Sequence, residues 1–108
     1  MDLQELAVNI GIDVETLKKI LERFIKQTPG DIAQLEKGIS DRDAEAVRTS
    51  AHHIKGAALN LELIAISDSA LQLELMAKKS DWPGIQQLFT ELQTAFKKEE
   101  VNILKLLT

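Results

Sequence analysis

Residues 46–61 read AVRTSAHHIKGAALNL. Ala46, Val47, Ser50, Ala51, Ile54, Ala58 and Leu61 recur every third or fourth residue, the spacing of one face of an α-helix. A half-buried strand would need strict alternation, which is missing. The spacing predicts an amphipathic helix that buries those residues. Ser40-Asp41-Arg42-Asp43 ahead of it is a polar connector able to supply an N-cap, and a turn near Glu62-Leu63 ends it.

The same period runs outward in both directions. Leu3, Leu6, Ala7 and Ile10 predict a short first helix, with Asp2 as N-cap and Gly11 as stop. Asp13 opens a second helix whose stripe runs Leu17, Ile20, Leu21, Phe24, Ile25 and resumes at Ile32, Leu35 and Ile39. Thr28-Pro29-Gly30 lies in its middle, and a kink or break is expected there, because proline disfavours helical geometry in the residue before it. Past the turn, Ile66, Ala70, Leu73 and Ala77 mark a fourth helix reaching about Lys79. Asp81-Trp82-Pro83 opens a fifth, with Asp81 as cap, Pro83 in the first turn and Ile85, Leu88, Phe89, Leu92, Phe96 and Ile103 inward. Short connectors between long amphipathic helices imply antiparallel neighbours. The expected fold is all-α: an up-and-down antiparallel four-helix bundle with an additional short N-terminal helix, residues 1–108 forming a single domain.

Composition removes several function classes. The 108-residue chain has no cysteine, hence no disulfide framework, thiolate nucleophile or Cys-based zinc site. Its net charge of −4 and scattered lysine pairs do not make the basic face that nucleic acid requires. Its start, MDLQELAV, lacks the pattern of a signal peptide, and no apolar run is long enough to span a membrane. A cytoplasmic location is expected. The initiator Met and the absence of a linker lead us to expect a free-standing protein, with a monomer as the default.

The central helix also carries the candidate chemistry. With Ile54 facing the core, His52 lies roughly opposite, on a face shared with Arg48, Lys55, Gly56 and Leu59. A histidine in water is largely neutral near pH 7 and is then a good nucleophile. Lys55 offers an ammonium one turn away, the helper expected where phosphoryl transfer proceeds by positioning and charge neutralisation. Gly56 costs about 0.5–1 kcal/mol in mid-helix relative to Ala, so it calls for a reason. Clearance for another protein's active site would be one. If the third and fourth helices form a hairpin, His52 and Glu74 lie about equally far from its turn. A carboxylate at that level could accept the other ring N–H and fix the tautomer.

His52-x-x-Lys55-Gly56, preceded by Ala51 and followed by Ala57, Ala58, Asn60 and Leu61, resembles the signature of the histidine-containing phosphotransfer domains of two-component phosphorelays. The Leu73-Glu74 pair and the Asp81-led final helix are also similar to that family. The resemblance implies that His52 is phosphorylated, that Lys55 supports the phosphoryl group and that Gly56 provides access. It further implies receiver-domain or sensor-histidine-kinase partners. Any Mg²⁺ would be carried by the receiver, leaving this chain without a cofactor. One departure stands out: the family usually has glycine where this chain has Glu62, at the turn after the central helix.

Plainer readings compete. His52 could be an ordinary surface histidine, and His53, pointing toward Thr49 and Asn60, is structural or incidental. A metal site is not expected, since the two histidines are adjacent rather than one turn apart and neither has a carboxylate four residues on. Ile64, Leu71 and Leu75 make a second apolar stripe on the fourth helix. It would mean either burial on two sides or, for Leu71 and Leu75 together with Leu59, a docking patch. Without a Gly-rich phosphate loop the chain has no means of drawing phosphate from a nucleotide. It is therefore expected to be a phosphocarrier rather than a kinase. The alternative function is a docking or adaptor module that never carries phosphate.

Overall fold

The computed structural model describes residues 2–108. It contains five helices and, among the described residues, no strand. They are α1 (Leu3–Ile10), α2 (Val14–Ser40), α3 (Ala44–Asn60), α4 (Ile64–Lys79) and α5 (Trp82–Leu107). Helices α2 to α5 form the antiparallel bundle: α3 packs between α2 and α4, α4 on α5, and α5 closes back on α2. Helix α1 rests chiefly on α2. The molecule measures 41 × 21 × 17 Å, its long axis set by α2 and α5, since 26 or 27 residues at about 1.5 Å each reach about 40 Å.

The helix starts follow from local chemistry. The carboxylates of Asp2, Asp13, Asp43 and Asp81 each accept a backbone N–H from the first turn of the helix they precede. The bond from Thr16 N–H holds the Asp13 carboxyl below the usual carboxylate range.

The ends of α2, α3 and α4 share one device. Leu63 N–H donates to Ala58 C=O and Glu62 N–H to Leu59 C=O, the paired bonds of a Schellman motif. The same pairs close α2 around Arg42 and α4 around Ser80. The motif needs one left-handed residue, supplied by Arg42 (φ 54°), Glu62 (φ 57°) and Ser80 (φ 52°). Only α1 uses a glycine, Gly11, for this purpose. The turn after α3 therefore keeps the shape that favours glycine, although a glutamate occupies it. Arg42 has a second function: its guanidinium lies 5.4 Å from the centre of the Trp82 ring, tying the α2–α3 connector to the start of α5.

The core follows the sequence stripes: Leu17, Leu21, Leu35, Val47, Ile54, Ile66, Leu73, Ile85 and Leu92 are fully buried. Phe24 meets Phe96 across the α2–α5 seam at a 5.9 Å centroid distance. The structure departs from two expectations. Of the kink or break expected at Thr28-Pro29-Gly30, the break does not occur: helix α2 is continuous from Val14 to Ser40. An interior proline costs about 3 kcal/mol, but fully burying a leucine or phenylalanine returns about 1.5–3 kcal/mol each. Leu17, Leu21 and Phe24 before the proline and Leu35 after it are all buried by one unbroken rod. Pro29 itself is exposed, so its ring needs no room in the core. Ile20 is the second: it lies at the margin of the stripe, exposed rather than buried.

Gly38, exposed by nothing in the sequence pattern, is buried where α2 meets α3. A Cβ there would stand 3.2 Å from the backbone nitrogen and Cγ2 of Val47.

Candidate functional site

Val47, Ala51, Ile54 and Ala58 fix the rotation of α3 by burying one line of it. His52 is thereby turned outward at mid-helix, with 61% of its side chain exposed. Glu74 projects from α4 toward it, its neighbour Leu73 anchored in the core. Glu74 Oε1 lies 3.3 Å from His52 Nδ1 and 2.8 Å from Lys55 Nζ. One carboxylate oxygen thus meets both the imidazole and the ammonium.

The carboxylate is only 14% exposed, and Lys55 is 26% exposed. Oε1 is shut off from solvent and has no well-aligned hydrogen-bond donor, so the grouping is held by charge and proximity. Burial pushes the Glu74 carboxyl up, but Lys55, with His52 assisting, outweighs it and holds the group below the usual range. Lys55 does not stretch freely over His52; its resting partner is Glu74. Spacing along α3 alone does not reveal this pairing, because it is made across to α4.

The remaining candidates surround this pair. Arg48, one turn before His52, makes a two-pronged contact with Glu45, which lowers the Glu45 carboxyl's pKa and raises that of the guanidinium. Gly56 is exposed, and a Cβ added there would meet nothing within 4 Å. Leu59 is 57% exposed, and Leu71 and Leu75 are each 40% exposed. With Ile64 also exposed, the second stripe of α4 faces water and is not buried on two sides. His53 points elsewhere, into a shallow cleft between α2 and α3 with Asp31, Gln34 and Thr49. Among the described residues no three His, Asp or Glu side chains converge as a metal site.

The sequence matches the family model described as Hpt domain over residues 19–100. The chain belongs to the Hpt domain family. The match spans α3 and α4 whole and most of α2 and α5, and leaves α1 outside. Searches of curated proteins and of solved structures return no significant match. Membership of the Hpt family carries a phosphotransfer role in two-component signalling, and with it an association with receiver or kinase domains. No described helix is long and apolar enough to cross a membrane.

Proposed function

We propose that this Hpt chain is a phosphorelay intermediate. His52 accepts a phosphoryl group from a receiver aspartate or a histidine kinase and passes it to another receiver. The carrying observation is the exposure of the His52 ring on a convex helix face, with Glu74 behind its Nδ1. A proton held on Nδ1 leaves the lone pair on Nε2, the nitrogen turned away from the carboxylate. A convex nucleophile suits a residue that enters another protein's active site, which would supply Mg²⁺ and most of the catalytic groups. Open space beside Gly56 supports that approach. Leu59, Leu71 and Leu75 would form the apolar contact, with Arg48 at its edge.

The test is incubation with a phosphorylated receiver domain. The chain should gain acid-labile, base-stable phosphate, and His52→Gln should gain none. Leu59, Leu71 and Leu75 would equally serve a docking module that never carries phosphate; tight binding without any transfer would select that reading.

A further inference from the structure

A cleft of about 570 Å³ opens at the end of the bundle where the α3–α4 turn meets α1 and the last turns of α5. Sites for small molecules have this size, about 300–1,000 Å³, and combine an apolar wall with a few polar groups. The wall here is Leu6, Leu21, Leu61 and Ile103, brought together from α1, α2, the end of α3 and α5. All four are packed into the core, so the wall is rigid.

The mouth is polar and net negative. Glu62 and Lys105 are exposed there and Glu99 is half-buried. Among the described residues no ion pair engages any of the three, so two unmatched carboxylates stand against one ammonium. Glu62 holds its place although φ 57° favours glycine. The cleft is also separate from the phosphotransfer face. Leu61 lies about 13 Å beyond His52 along α3, at about 1.5 Å per residue. None of His52, Lys55, Gly56 and Glu74 lines it. Leu6, Ile103 and Lys105 lie outside the stretch matched to the Hpt family, so part of this wall is built by segments beyond that match.

We propose that this cleft binds a small amphipathic amine, its apolar body on Leu6, Leu21, Leu61 and Ile103 and its protonated amino group met by Glu62 and Glu99. The apolar wall supplies affinity, and the charges at the mouth select the class. An anionic amphiphile of the same shape would face both carboxylates with only Lys105 to receive it. Glu62 has a second claim on its position, because it precedes α4, whose start has no side-chain cap and whose dipole favours a carboxylate. Glu99, inside α5, has no such local reason, which makes the pair informative together.

Titration of the full chain with n-octylammonium, and in parallel with n-octanoate, decides the matter by methyl ¹H–¹³C NMR near neutral pH. Octylammonium should give saturable shifts at Leu6, Leu21, Leu61 and Ile103, while Leu35 and Ile85 toward the opposite end of the bundle stay in place. It should bind about fivefold or more tightly than octanoate. Glu62→Gln and Glu99→Gln should each weaken octylammonium about two- to fivefold, the worth of one exposed charge pair, and leave octanoate no weaker. Ala65→Leu adds bulk to the exposed lining and should weaken both probes. Absence of saturation by octylammonium, octanoate binding as tightly or more so, or unchanged octylammonium affinity in both glutamine variants overturns the proposal. So do shifts at the same methyls on raising the protein concentration alone, which would give the cleft to a second copy of the chain.

Discussion

The ammonium of Lys55 lies 2.8 Å from the Glu74 carboxylate and bridges α3 to α4 at the level of His52. Lys55 therefore has a structural function as well as its proposed one. Its removal leaves a largely buried carboxylate with only an imidazole near it. Leaving a buried polar or charged group short of partners costs about 1–3 kcal/mol. Lys55→Ala should stay folded but lose about 1–2 kcal/mol in urea unfolding, discounted for the lysine's partial exposure. The double variant Lys55→Ala/Glu74→Gln should lose less than the sum of the singles, because the stranded charge goes with its partner. Strict additivity would mean that the pair is not coupled.

The same contact fixes a pH dependence. The Glu74 carboxyl is held below its ordinary value of 4.5 in the folded chain. A group with a depressed folded value binds fewer protons folded than unfolded, so its stabilisation is complete above the ordinary value and fades as pH falls through the folded one. The stability gap between wild type and Glu74→Gln should therefore be widest near neutral pH and should narrow as the pH drops below 4.5. Urea midpoints of both proteins at pH 7 and about pH 3 would show this. A gap that widens with acid contradicts the sign.

Glu62 occupies a left-handed position at the Schellman turn after α3. The left-handed conformation costs an L-residue about 1–2 kcal/mol, and glycine avoids it at the expense of a looser unfolded chain. Glu62→Gly should therefore stabilise by about 0.5–1 kcal/mol, seen as a higher Tm. Arg42→Gly should gain less despite a similar φ, because it also forfeits the stacking on Trp82. Equal gains at both positions would argue that this stacking contributes nothing.

These features differ in how far they could be foreseen. One buried line on α3, Val47–Ala51–Ile54–Ala58, sets the direction of every other side chain on that helix. The outward aim of His52 and the open flank at Gly56 were readable for that reason, and the hairpin register extended the reading to Glu74. Contacts decided between helices were not readable. The continuity of α2 past Pro29 depends on burial along the whole rod, which outweighs a local preference. The Lys55–Glu74 pair depends on where a long flexible side chain comes to rest. The left-handed turns at Arg42 and Ser80 carried no glycine to announce them, and Gly38 marks a helix approach that its own helix does not specify.

Gly38 and Gly56 make a controlled pair. Both sit inside helices, so alanine at either gains about 0.5–1 kcal/mol of helix propensity. At Gly38 the new methyl meets Val47 backbone nitrogen at 3.2 Å, tighter than most Cβ contacts, so a neighbour must give way by a few tenths of an ångström, and a backbone atom yields less easily than a side-chain end. Overpacking of this kind costs about 1–3 kcal/mol, so Gly38→Ala should be destabilising. At Gly56 nothing opposes the methyl, so Gly56→Ala should be stabilising. The functional consequence runs the other way. A large residue such as Leu at Gly56 should leave the helical circular dichroism unchanged or stronger while slowing phosphoryl transfer from a receiver. Gly38→Ala should leave the rate of the still-folded fraction alone. A Gly56→Leu protein that transfers at the wild-type rate would remove clearance as the reason for a glycine beside His52.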